Sequence, residues 1–396
     1  MRSKSVAILD IRSGEVSFLL GAKGVNDTFV LGGNRTEKYA GYSVENGFHD
    51  EVSFFDATRN AITPVLNNHE GQVDEIFVGV PSCFISVLTK GHTKDYYSKR
   101  RISAQDVDAL YESGQAELMA HGQCIRRSDM YLTLGDNRKY FSAGEVYGVS
   151  STLLQGALCY YFVSDSFYEM INGMLKEMGF SIVHFIPSTL AQAMYLLPKK
   201  KREGYAFLLD FGHWTSSISV IYGNGIVHEE AYDCGYATVF EALKKQLEVS
   251  DAVAEEIIAT ADISGGSVAP EQEWVSELEK VELPIWKINE VIKYELNNLT
   301  KSVTAFFEKY YKDKSAMGLT VNPIGLTGEG VGRINGSTEY IENKLSRYTE
   351  VIYPDLPYYD KPAFSSRISL LDMALSDNKK RGWFYKIFNS IGGKKK

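Results

Sequence analysis

The chain has 396 residues, 44% of them hydrophobic, so it can bury a large core and is expected to divide into two or more domains. Its net charge of −8 excludes a nucleic-acid binder built on clustered cations, and it makes the basic C-terminal tail an exception. The four cysteines, Cys83, Cys124, Cys159 and Cys234, show no CxxC pair and no histidine at ligand spacing, which argues against a zinc site and for reduced, mostly buried thiols.

Ser5-Val-Ala-Ile-Leu-Asp10 is an apolar run of strand formers, followed by a turn at Arg12-Ser13-Gly14 and a second run, Glu15 to Leu20. This is the pattern of a strand, a tight turn and a strand. Asp74 to Pro81 reads as a buried strand, and Ser103 with the acidic residues after it opens a capped helix. Strand-like stretches at Met130 to Leu134 and Ala157 to Val163 lie within a segment, 82–163, that reads as a small inserted domain. Helix patterns follow at Phe167 to Met178 and Ser188 to Leu197. The hairpin pattern then repeats: Tyr205 to Asp210, a turn at Gly212-His213-Trp214-Thr215, and Ser216 to Tyr222. Two such units predict a duplicated architecture with one sheet in each half. Helices are predicted at Ala237 to Leu247, Asp251 to Thr260 and Ile288 to Lys312. A strand at Pro323 to Leu326, a glycine-rich turn and a helix from Thr338 to Leu345 close the second half.

Asn378 to Arg381 reads as a charged linker to the tail. Wound as a helix, the tail places Trp383, Phe384, Ile387, Phe388 and Ile391 on one stripe, with Lys386 elsewhere on its surface. Lys379, Lys380 and Arg381 precede the stripe and three lysines follow it, the composition of a helix lying in the interface of an anionic membrane. The alternative is a terminal core helix docked on the body. No secretory signal precedes the first strand and no apolar run reaches transmembrane length, so the expected location is the cytoplasm, peripheral to the membrane through the tail.

Both hairpins end their first strand in an aspartate and carry hydroxyl or glycine residues at the tip. Tight turns of this kind present backbone N–H groups to phosphate, and a nearby carboxylate can hold hydrated magnesium. The third element, Ile324-Gly-Leu-Thr-Gly328-Glu329-Gly330, passes from strand to helix but lacks the GxGxxG spacing, because Arg333 stands where the third glycine would be.

The order of these elements resembles the actin-like ATPase superfamily, and the terminal amphipathic segment makes the chain similar to FtsA, which tethers FtsZ filaments at the bacterial division site. The resemblance implies an α/β fold with two sheet-based halves around a nucleotide cleft and an FtsA-type inserted domain. It divides the chain into subdomain 1A (1–81, 164–204 and a return at 361–378), inserted subdomain 1C (82–163), subdomain 2A (205–236 and 317–360), subdomain 2B (237–316) and a linker with membrane-targeting helix (379–396). It also implies ATP and magnesium as cofactors, with Asp10 and Asp210 holding the metal through water. Nucleotide contacts would come from Asp10, Arg12, Ser13, Gly14, Asp210, Gly212, Thr215, Gly328, Glu329 and Gly330, and from Glu290 and Lys293 on a long helix facing adenine and ribose. For Glu290, Lys293 and Glu295 a solvated helix face is an equal reading. The implied partners are FtsZ or a similar filament, further copies of the chain through the inserted domain, an anionic membrane surface and other division proteins.

The sequence departs from the family pattern at each motif. Where FtsA proteins carry Asp-Ile-Gly-Thr-Ser, this chain has Asp10-Ile11-Arg12-Ser13-Gly14; the second motif, Asp210 to Ser217, loses two glycines and a final carboxylate. Ile186-Pro187 stands in place of Glu-Pro, which removes the carboxylate that would orient an attacking water, so efficient hydrolysis is not expected and no catalytic residue is assigned. Arg12 has two readings: a salt-bridged replacement that abolishes the pocket, slightly favoured, or a phosphate-neutralising cation. His213 is assigned no catalytic role and is expected to pack over the cleft. The alternatives to an FtsA-like scaffold are a PilM-like pilus-assembly adaptor, a superfamily kinase or phosphatase, and a degenerate FtsA paralogue.

Overall fold

The computed structural model describes residues 5–24, 28–116, 118, 122–136, 138–265, 269–311 and 322–392, with backbone alone for 379–392. Strand Val6–Ile11 is buried at all six positions and runs antiparallel to Glu15–Lys23, with Val6 opposite Gly21 and Ile11 opposite Val16. Phe29–Lys38 extends this meander, while Glu75–Val80 and Ile182–Pro187 join the other side in parallel. Burial on both faces explains why the central strands read as continuous apolar runs.

The second half repeats the order. Tyr205–Phe211 pairs antiparallel with Ser216–Tyr222, Gly225–Tyr232 completes the meander, and Ile324–Thr327 and Thr349–Val351 add in parallel. Each five-stranded sheet thus has a three-stranded meander followed by two parallel strands, reached through helical crossovers.

Alternation along the strands assigns the layers. Ala7, Leu9 and Ile11 pack with Phe54 and Ala61 of helix Glu51–Asn67 and with Ile171 and Leu175 of helix Asp165–Glu177. Val6 and Ile8 face the other way, onto Leu190 of helix Ser188–Leu196 and Leu370 and Leu371 of helix Ser365–Gly392. In the second half Phe207, Leu209 and Phe211 pack with helices Tyr236–Leu247, Asp251–Thr260 and Ile285–Tyr310, whereas Ala206 and Leu208 meet Ala193 and Leu197. Helix Ser188–Leu196 therefore lies between the two sheets and contributes to both cores.

Residues 85–163 form a three-stranded antiparallel sheet with Ser150–Val163 between Ile85–Arg101 and Gln123–Thr133, covered by helix Ala104–Ala116. A reciprocal cap starts that helix: Asp106 N donates to Ser103 Oγ at 3.3 Å, and Ser103 N donates to Asp106 Oδ2 at 2.9 Å. This unit also leans on the second half, where Asn224 N donates to Asp129 O at 3.1 Å and Ile226 N to the Tyr161 hydroxyl at 3.0 Å.

One element departs from expectation. The backbone stays helical from Ser365 to Gly392, so the charged linker at 378–381 is a stretch of helix rather than a break. Its residues, Asn-Lys-Lys-Arg, include no proline, and lysine and arginine are good helix formers, so a charged composition did not require a stop.

Candidate functional site

The tips of the two hairpins meet between the halves. Arg12 Nη1 and Nη2 donate to Asp210 Oδ2 at 3.2 Å and Oδ1 at 3.1 Å, a two-pronged ion pair joining residues far apart in sequence. Gln192 Nε2, from the helix between the sheets, donates to Asp210 Oδ2 at 2.9 Å. The Tyr39 hydroxyl donates to Arg12 O at 2.6 Å and fixes the turn that carries the guanidinium. Ser13 Oγ accepts from Trp214 N at 2.9 Å and Thr215 N at 3.2 Å, so backbone donors of the second tip are spent on a side chain of the first.

Asp10 is 1% exposed. Its Oδ1 accepts from Ser366 Oγ at 2.6 Å, and its Oδ2 has no hydrogen-bond partner among the described residues. Burial raises the Asp10 carboxyl above the usual aspartate range, opposed by the nearby Arg12 and Arg367 and by the Ser366 bond. For Arg12, burial disfavours the charge, but the Asp210 and Asp10 carboxylates outweigh it and hold the guanidinium protonated.

The glycines of the motifs are used by the protein itself. A Cβ on Gly14 would fall 2.2 Å from His213 Cδ2, because the imidazole lies directly on that turn. Gly328 has φ of +107°, and a Cβ there would fall 2.2 Å from Asp210 Oδ1. His213 Nδ1 stands 3.3 Å from Glu329 Oε1, which also receives Arg333 Nη2 at 3.2 Å. Burial works against the Glu329 charge, yet the His213 bond together with Arg12 and Arg333 holds its carboxyl below the usual range.

Between the tips remains a cavity of about 40 Å³, lined by Arg12, Ser13, Thr189, Gln192, Asp210 and Thr215 among others. A single water needs roughly 10–15 Å³ by this measure, so the space holds a few waters. Asp210 has both oxygens engaged, by Arg12 and Gln192, and is not disposed towards hydrated magnesium, whereas Asp10 gives Oδ1 to Ser366 and keeps Oδ2 without a partner among the described residues. A space of this size, crossed by the Arg12–Asp210 pair, does not fit a nucleotide–magnesium complex.

Of the residues implied by resemblance, the structure brings Asp10, Arg12, Ser13, Gly14, Asp210, Gly212, Thr215, Gly328 and Glu329 together at the tips. Gly330 packs on the Phe211 ring behind them. Glu290 and Lys293 do not line the cavity; Lys293 Nζ lies 5.9 Å over the Tyr340 ring. Gln192, Ser366 and Tyr39 were not singled out by sequence, since nothing in a single chain announces a partner so distant. Trp383, Phe384, Lys386, Ile387, Phe388 and Ile391 lie outside the residues whose side chains are described. Among the described residues no helix is long and apolar enough to cross a membrane, and no group of three or more histidine, cysteine or acidic residues could hold a metal ion.

No protein-family model matches the chain, and no curated protein matches it. Solved structures do. A PilM–PilN type IV pilus biogenesis complex aligns with a TM-score of 0.62 and 11% identity, over 93% of this chain and 98% of that one. MreB5 of Spiroplasma citri bound to ADP aligns at 0.54 and 11% identity, over 96% and 98% of the two chains. A MamK double helical filament aligns at 0.50 and 13% identity, over 93% and 98%. Identities this low speak for the fold alone. With two like-ordered sheets facing one another across paired hairpin tips, and with these neighbours matched over nearly their whole length, the chain has the actin-like ATPase fold.

Proposed function

We propose that the chain is a membrane-tethered scaffold in the manner of FtsA, linking FtsZ or a similar filament to the cytoplasmic face of the cell membrane at the division site, without nucleotide control. The observation that carries the absence of nucleotide control is the Arg12–Asp210 pair, which joins the two hairpin tips and leaves a cavity of about 40 Å³ between them. The membrane role is supported by the apolar stripe and cationic flanks of the tail, and by the core-anchored helix Ser365–Gly392 that continues into it. A single short amphipathic helix binds lipid weakly and reversibly. Association of several copies through the inserted domain, which leaves the tails free, presents several tails at once and raises membrane affinity without any new lipid contact. Self-association is supported by the filament in which MamK is described.

A second reading, a PilM-like adaptor holding a partner segment, is favoured by a recess of about 270 Å³ between the inserted sheet and the edge strand Ile182–Pro187, bordered by Arg126, Phe185 and Asp377. The two readings differ at the tail. Full-length protein mixed with anionic liposomes should cosediment to the same extent with and without Mg-ATP, and Trp383→Glu or Phe388→Glu should abolish binding with the circular dichroism unchanged. Binding that survives both substitutions would remove the membrane role, and ATP-dependent binding would remove the claim of nucleotide independence.

A further inference from the structure

On the outer face of the first sheet, helices Glu51–Asn67 and Asp165–Glu177 enclose a groove of about 690 Å³ that the cleft chemistry does not use. Its floor is Ile62 and Met174, and its walls are Phe55, Leu66, Met170 and Met178. Glu169 and Glu177 stand on the rim, together with Arg59, whose guanidinium lies 3.6 Å from the Asp56 carboxylate of its own helix. Gly173 opens the middle of one wall, where a Cβ would meet nothing within 4 Å. An apolar trough with methionine walls and a rim of two carboxylates beside one ion-paired arginine suits an amphipathic helix that is apolar on one face and cationic around it.

The chain itself carries such a helix. The stripe from Trp383 to Ile391 spans about 12 Å at helical rise, and the groove from Phe55 to Leu66 about 16 Å, so the stripe fits within it. Lys379, Lys380, Arg381 and Lys386 provide the cations that Glu169 and Glu177 would meet. The groove helices pack against Ala7, Leu9 and Ile11, whereas helix Ser365–Gly392 packs against Val6 and Ile8 on the opposite face of the same sheet. A copy's own tail thus departs from the far side. The geometry points to this groove as the seat of the tail helix of a second copy.

Such a contact joins two different surfaces of the same molecule and propagates head to tail. Lipid and groove then compete for one stripe, so soluble assemblies give way to membrane-bound molecules when anionic lipid is present. The inference rests on the amphipathic reading of the tail and extends it to a protein ligand.

Sedimentation velocity of the full-length protein without lipid tests it. The wild type should associate with rising concentration. Gly173→Trp, which fills the groove from an exposed helical position, should weaken association at least tenfold while liposome binding is retained or strengthened, because the stripe loses a competitor; Gly173→Ala should behave as wild type. Trp383→Glu should lose both activities, and Glu177→Lys should weaken association without weakening liposome binding. A wild type that stays monomeric, or a Gly173→Trp protein that associates normally, would overturn the proposal. Should liposome binding fail while Gly173→Trp still blocks association, the membrane role falls and the groove assignment stands.

Discussion

Arg12 decides the character of the cleft. A guanidinium cannot be deprotonated at neutral pH, and its planar fork matches a carboxylate, so the pair with Asp210 is permanent as well as directional. The side chains are 8% and 15% exposed, which places the pair among those whose loss of one partner is expensive. Arg12→Ala leaves Asp210 with Gln192 alone and should cost about 3–5 kcal/mol, read as a lowered midpoint in urea unfolding. Replacing both partners, Arg12→Met with Asp210→Leu, should recover much of that loss, because an apolar pair of similar bulk carries no stranded charge. If the single substitution cost less than about 1 kcal/mol, as an exposed pair would, the contact would not be what closes the cleft.

At the scale of elements, local capping chemistry places the helices. Asp50 Oδ1 accepts from Val52 N at 3.0 Å and Ser53 N at 3.2 Å, starting the helix that forms one wall of the groove. Asp50→Ala should lower unfolding stability by about 1 kcal/mol, measured by chemical denaturation, with no change in secondary structure content. The sequence made the central strands legible because Val6 to Ile11 and Tyr205 to Phe211 are packed on both faces and are apolar apart from Asp10 and Asp210 near their ends. Phe29–Lys38 escaped notice because it is an edge strand rich in glycine and charge, formed by pairing with Glu15–Lys23 rather than by its own propensity. Helix Glu51–Asn67 was hidden by Pro64, which is tolerated within it against propensity. The site was legible in residue type and in part in contact: the salt-bridged reading of Arg12, slightly favoured from sequence, is the arrangement found, but one sequence could not name Asp210 as its partner.

For the whole molecule, the join between halves is polar as well as apolar. Glu229, on the second sheet, accepts from Ser219 Oγ at 3.3 Å, while its Oε2 is sealed from solvent with no hydrogen-bond partner among the described residues. Burial raises this carboxyl to about 7, with the nearby Thr189 and Ser219 hydroxyls opposing and the Asp210 charge adding to it. A carboxyl raised in the folded state binds its proton more tightly there than in the unfolded chain. Its contribution to stability is therefore complete below pH ~4.5 and is lost as pH rises through about 7. Global stability should fall by roughly 3 kcal/mol between pH 4.5 and pH 8 on this account. Comparing urea midpoints of the wild type and Glu229→Gln across that range isolates the effect, since the amide does not titrate; an identical slope in both proteins would assign the pH dependence elsewhere.

Helix Ser365–Gly392 begins beside Asp10, where Ser366 donates its hydroxyl, and its 28 residues form a rod of about 42 Å. Helices resist stretching far better than loops, so a load applied at the far end arrives at the near end instead of being absorbed along the way. Were the tail anchored as proposed, a load on it would therefore be felt at the buried Ser366–Asp10 hydrogen bond, making the interior between the hairpins a point of mechanical strain.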